Sequence, residues 1–222
     1  MPPCPAALPC PADSSCWLYL VRHGATEYNE ARPPLLQGQR IDACLSARGR
    51  QQAESAAQRL AAEPVARVYA SPLLRARQTA EAIARRHGLA VQPADDLIEV
   101  DVGQWEGHTW EDIARVDAEA YRLFTVDAGT NPYLGGENLA AVRTRVVAAM
   151  ERILADNVGR LVVVVAHNVV NRVYLAHLLQ MPLAHYRSIS QENCGLNLLR
   201  YHQGQVRAVT INAIDHLEQR PV

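Results

Sequence analysis

Hydrophobic positions change their rhythm several times along this chain, and each change marks an element. From Trp17 to Val21 the apolar residues run almost unbroken and stop at Arg22 and His23, which reads as a short buried strand. From Ser46 to about Ala62 the spacing turns helical, with Ser46 placed to cap the helix and Pro64 to follow it. "VARVYASP", Val65 to Pro72, is strand-like again. "PLLRARQTAEAIARRHG" then predicts a helix with Pro72 in its first position and Gly88 as its stop. A short strand at Leu89 to Gln92 leads into an irregular stretch, Asp95 to His108, rich in acids and glycine. Trp110 to Asp127 predicts a helix with a ragged apolar face, and "DAGTNPYLGGEN" is a loop. Leu139 to Asn157 is strongly amphipathic. "RLVVVVAH" is the clearest buried strand, and "NVVNRVYLAHLLQ" follows it as a helix. Strands at Gly195 to Tyr201 and Val206 to Ala213 close the chain.

Strand and helix alternate, which predicts an α/β fold: a three-layer sandwich with a mostly parallel central sheet flanked by helices. At 222 residues the chain is long enough for one well-buried domain. Residues 1–16 form a Pro-rich leader expected to be loosely packed. Residues 17–222 form a single domain, with a cap segment at roughly 100–138. The leader has neither the charged start nor the apolar stretch of a signal peptide, and no apolar run approaches membrane length.

Charge narrows the chemistry. A net charge of -1 gives no electrostatic case for nucleic acid or a membrane surface. All 22 basic residues are arginine, so lysine-dependent phosphate loops and Schiff-base chemistry are excluded. Five cysteines are an odd number in a chain too large to need disulfide staples, which points to a reducing cytoplasm. Cys4, Cys10 and Cys16 lack the spacing of a zinc site, and no metal is expected.

In open α/β sheets ligands bind at the carboxyl ends of the strands. That rule selects Arg22 and His23 on the first strand, Ser71 and then Arg75 after the second, and His167 after the valine strand. Two guanidinium forks can neutralise a phosphoryl group, and a neutral imidazole is a nucleophile at physiological pH. A carboxyl must then protonate the leaving oxygen. The candidates are Asp95, Asp96, Glu99, Asp101 and Glu106, with Glu99 modestly favoured because it follows the apolar pair Leu97 and Ile98.

The ordered motifs resemble those of the histidine phosphatase superfamily, with its phosphoglycerate-mutase-like fold. R-H-G-x-T-x-x-N is complete as Arg22, His23, Gly24, Thr26 and Asn29. Leu45, Ser46, Gly49, Gln52 and Ala53 follow in order, then the segments Ser71 to Ala80 and Glu99 to Gly107. Gly136 to Leu139 and the second histidine, His167, complete the set. The resemblance implies that His23 becomes phosphohistidine, that Glu99 donates the proton, and that Arg22, Arg75, His167 and Asn29 bind the phosphoryl group. It places Thr26 near substrate and Gln37 and Gly38 in a substrate loop, and gives Asn168 a backbone amide to offer. No cofactor is implied, the partner is a small phosphorylated metabolite, and members often form homodimers. The chain departs from the family at Asn168, where glycine is usual, and at Cys44, where proline is frequent.

Cofactor-dependent mutases resemble one another in a long insertion over the site. Here only about thirty-five residues separate Glu99 from the Gly135-Gly136 turn, which favours a phosphatase over a phosphoglycerate mutase. A non-catalytic phosphate-binding regulator is a further alternative. A cysteine phosphatase loop, C-x5-R, occurs three times, at Cys16, Cys44 and Cys194, where chance gives about half a match. Trp105, His108, Trp110, Tyr121, Phe124 and Tyr133 are cap residues that could line the substrate pocket or simply pack.

Overall fold

The computed structural model describes residues 14–217. Six strands form one sheet in the order β3-β2-β4-β1-β5-β6. They are β1 (Ser15–Arg22), β2 (Val65–Ala70), β3 (Val91–Pro93), β4 (Leu161–Ala166), β5 (Leu196–His202) and β6 (Gln205–Ala213). β1, β2, β3 and β4 run parallel, whereas β5 is antiparallel to β1 and β6 to β5. β1 takes in Ser15 and Cys16 as well as the apolar run, because both pair with the end of β5.

The helices are α1 (Glu27–Glu30), α2 (Ala47–Leu60), α3 (Leu74–His87), α4 (Trp110–Val116), α5 (Ala118–Val126), α6 (Leu139–Ala155) and α7 (Asn168–Leu178). Alternate side chains of the central strands enter two separate cores, which is what a period of two does to a strand covered on both faces. Leu18 and Leu20 of β1, with Val162 and Val164 of β4, pack on the side of α6 and α7. Tyr19 and Val21, with Val163 and Val165, pack against Ala53, Ala56 and Leu60 of α2 and Ala76, Ala80 and Ile83 of α3. Alanine dominates that second face, where α3 lies against β2 and β4 and α2 packs on α3.

The structure corrects several sequence expectations. Pro72 is not the first residue of α3: Leu73 is the N-cap, and Gly88 closes the helix in the left-handed conformation as expected. The helix expected over Trp110 to Asp127 is two helices, broken at Asp117, whose carboxylate accepts the Trp105 indole N–H at 2.9 Å. That tertiary bond is invisible to local periodicity. α1 and a 3-10 turn at Leu183–Ser188 have no forecast in the hydrophobic pattern. Among the described residues no helix is long and apolar enough to cross a membrane.

Candidate active site

The three strand ends singled out by sequence meet at one place. His23 follows β1 and is held by its amide, which donates to the Ala166 carbonyl at the end of β4. Its ring centroid stands 5.2 Å from that of His167, and both residues are buried. The turn after His23 is tight because motif glycines meet there: a Cβ on Gly24 would fall 2.4 Å from the Gly49 carbonyl oxygen. The start of α2 therefore packs directly on the His23 loop.

Hydrogen bonding fixes the state of His23. Its Nδ1 lies 2.7 Å from the Gly24 carbonyl oxygen, which can only accept, so Nδ1 carries the proton and Nε2 keeps its lone pair. Burial, and then the charges of Arg75 and Arg22, hold its pKa well below the usual imidazole value. The ring is neutral at pH 7. His167 is shifted the same way by burial and by Arg75. Its Nε2 pairs with Ser71 Oγ at 2.7 Å. Ser71 Oγ also accepts from the Leu73 amide at 3.4 Å, and its hydroxyl can either donate to or accept from Nε2, so this contact holds the His167 ring in place whichever nitrogen carries the proton.

Arg22 donates from Nη1 to the Gln191 carbonyl at 2.7 Å, and burial pushes its pKa down to about 10, which leaves it charged at neutrality. Arg75 spends Nη2 on the Gly38 carbonyl at 2.8 Å and Nη1 on the Ile41 carbonyl at 3.1 Å. Arg22 Nε, Arg75 Nε and His167 Nδ1 are buried and have no protein partner. Unpaired buried donors are costly, and two guanidinium N–H groups with an open imidazole nitrogen among the same residues suit an anion.

Glu99 is separated from its rivals by structure. It is 4% exposed and burial raises its pKa, against the opposing pull of the Val100 amide and Arg75. Its carboxylate accepts from the amides of Val100 at 2.9 Å and, at 3.3 Å, of Val169 in the first turn of α7. Glu106 is committed elsewhere: its carboxylate takes the amides of Gly38, Arg40 and Ile41 at 2.8 to 3.1 Å. It pins the 37–41 loop from one side while Arg75 holds it from the other. Asp101 caps the Gly103 turn, Asp96 pairs with Arg152 on the surface, and Asp95 is exposed at the start of the 3-10 turn Asp95–Leu97.

A cavity of about 550 Å³ opens over this group, lined among others by Arg22, His23, Asn29, Gln37, Glu99 and Asn168. A larger hollow of about 660 Å³ between α3 and β3 contains none of His23, Glu99 and His167. Thr26 is fully buried, and its hydroxyl donates to Gln37 Oε1 at 2.9 Å while its amide donates to Asn29 Oδ1. Thr26 and Gly38 thus organise the cavity wall and do not line it. Asn168 begins α7 with its Oδ1 buried and unpartnered.

Of the cap aromatics, Trp110 and Tyr133 line the cavity. Trp105 and Phe124 are packed beneath them, Tyr121 contacts Trp110, and His108 is exposed. Sequence reasoning missed Arg172, Tyr186 and Arg187. Arg172 was legible, since it lies one helical turn after Asn168 on α7. Arg187 carried no local signal. The C-x5-R intervals are not phosphate loops. Cys16 lies in β1 with its thiol pushed up to about 12 by burial, Cys194 is buried with its thiol also raised, and Arg50 donates to the Leu45 carbonyl.

Residues 18–214 match the family model of the histidine phosphatase superfamily, branch 1. The chain belongs to this superfamily. A phosphoserine phosphatase 1 of Hydrogenobacter thermophilus is 32% identical over 200 residues, covering 90% of this chain and 93% of that protein. A phosphoglycerate mutase-like protein 4 of Arabidopsis thaliana is 32% identical over 207 residues, covering 91% of this chain and 87% of that protein. The crystal structure of an Entamoeba histolytica phosphoserine phosphatase in complex with 3-phosphoglyceric acid superposes with a TM-score of 0.82 at 28% identity, covering 91% of this chain and all of that one. The phosphoglycerate-mutase-like α/β fold expected from sequence is thereby the fold of this superfamily member.

Proposed function

We propose that this chain is a phosphomonoester hydrolase acting on a small phosphorylated metabolite through a phosphohistidine at His23. Nε2 of the neutral ring attacks phosphorus, and the P–O bond to the leaving alcohol breaks as Glu99 delivers its proton to that oxygen. Glu99, now a carboxylate, takes a proton from the water that hydrolyses the N–P bond. Phosphate leaves with the free imidazole restored.

The charge that develops on the transferring group is met by Arg22, Arg75 and His167, so the reading calls for neither metal nor organic cofactor. The observation that carries it is the pair of unpartnered buried guanidinium donors, with the open Nδ1 of His167, beside an imidazole held by the Gly24 carbonyl in its nucleophilic tautomer. The names of the similar proteins lend further support, since phosphatases figure prominently among them.

The test is rapid quenching with a radiolabelled phosphomonoester. The expected result is a protein-bound label stable to base and labile to acid, absent from His23→Ala, with inorganic phosphate released as fast as substrate disappears. A label retained in His23→Ala, or one stable to acid, would overturn the reading. Phosphoryl transfer to a second hydroxyl without release of phosphate would identify a mutase instead, and no label and no turnover would identify a regulator.

A further inference from the structure

The cavity holds more positive charge than a phosphoryl group needs. Besides Arg22, two arginines line it: Arg172 from α7 and Arg187 from the 3-10 turn at Leu183–Ser188. Arg172 donates from Nε to the Ile189 carbonyl at 2.8 Å, and Arg187 from Nε to the Tyr186 hydroxyl at 3.1 Å. Neither pairs with a carboxylate within 4 Å among the described residues, and the terminal nitrogens of both forks remain uncommitted to protein.

Arg187 is exposed, yet its guanidinium lies over aromatic rings. It lies 4.6 Å from the Trp110 ring centroid and 5.5 Å from that of Phe124, contacts that orient a cation without neutralising it. An oriented, unpaired guanidinium beside a second one in a concave site is a fork waiting for a planar anion.

We infer that Arg187, with Arg172, reads a carboxylate on the leaving alcohol, so that the preferred substrates are phosphomonoesters of hydroxy acids. The inference rests on the phosphatase reading above. Charge balance selects a carboxylate over a second phosphate. Arg22 and Arg75 match the two charges of a phosphoryl dianion. Glu99 enters the reaction protonated. Glu111, an exposed carboxylate that also lines the cavity without pairing with either remaining arginine, lowers the net positive charge there and leaves a surplus suited to a monoanion. Arg172 is bonded to the carbonyl of Ile189, the residue that caps the turn carrying Arg187, so the same short segment positions both forks.

The experiment compares kcat/KM for 3-phosphoglycerate and for glycerol 3-phosphate, which differ at the carboxylate. The wild-type protein is expected to favour the acid by about tenfold to a hundredfold, as for a charge-assisted bidentate contact. In Arg187→Gln the ratio is expected to fall toward one, and Arg187→Lys, which keeps the charge but loses the fork, to fall between. A wild-type ratio near one, an unchanged ratio in Arg187→Gln, or stronger preference for propane-1,3-diol bisphosphate overturns the subsite. Calorimetric titration of His23→Ala with the same two ligands reads the same ratio without turnover. Failure of the subsite therefore stays distinct from failure of the phosphatase reading, which is measured by the phosphoenzyme.

Discussion

The floor of the cavity and its rim are held by different forces. On the floor, Arg22, His23, Arg75 and His167 stand at or just after strand ends; the first three are gripped by the backbone carbonyls of Gln191, Gly24, Gly38 and Ile41, and His167 by the Ser71 hydroxyl. On the rim, Trp105, Trp110, Phe124 and Tyr133 hold one another through ring contacts with centroids 4.4 to 6.4 Å apart. Backbone bonds on a sheet fix atoms closely, which suits groups that must meet a transition state. Ring packing supplies buried area and shape, which suits a wall that distinguishes one leaving group from another. The lesson is that damage to the floor should remove rate at little cost in stability, and damage to the rim the reverse.

The sharpest break is His23→Ala, expected to lower kcat by about 10⁴-fold or more with near-native near-UV circular dichroism, measured in steady state on any accepted monoester. Glu99→Gln comes next, with a loss of about 10² to 10⁴ in kcat for alcohols that are poor leaving groups and a smaller loss for p-nitrophenol. Its pH profile follows from the shifts. In the proposed mechanism activity needs protonated Glu99 and neutral His23, so the wild-type rate is expected to fall as pH rises through the raised Glu99 pKa and as pH falls through the lowered His23 pKa. Glu99→Gln should lose the alkaline limb.

Stability gives a second sign. A carboxyl whose folded pKa is raised stabilises the fold fully below its unfolded value and loses that contribution as pH rises through the folded value. Glu99→Gln should therefore raise Tm relative to wild type at pH 8 and not at pH 4. An equal Tm difference at both would contradict this.

At the rim, Phe124→Ala removes a buried ring that touches Trp105, Trp110 and Tyr133 and is expected to cost about 3–5 kcal/mol in denaturant unfolding, while phosphohistidine still forms. Glu106→Gln lies between the regions. It weakens the clamp on the 37–41 loop and should destabilise by about 1–3 kcal/mol, with KM rising more than kcat falls. The smallest effect belongs to Cys44→Ser: an exposed thiol with no role in the site should change stability by less than about 0.5 kcal/mol and leave kcat unaltered.

The sheet and its two faces were legible because strand burial and helix amphipathicity are written in local spacing. Gathering Arg22, His23, Arg75 and His167 needed only the further rule that strand ends converge. Glu99 was less legible. Its neighbours in sequence are equally acidic, and only the amides of α7 and its burial against them distinguish it from Glu106, whose oxygens are taken by the 37–41 loop. The break at Asp117 likewise depends on an indole twelve residues away.

The amino-acid sequence by itself determined which residues could do the chemistry, since a phosphoryl-transfer set of this kind depends on residue types at strand ends. Tertiary structure alone decided which carboxyl is buried enough to hold a proton, which imidazole nitrogen keeps its lone pair, and that Arg187 stands in the cavity. The physical reason is that protonation state and charge pairing depend on burial and on groups brought together from distant parts of the chain, and no local pattern of residues encodes them.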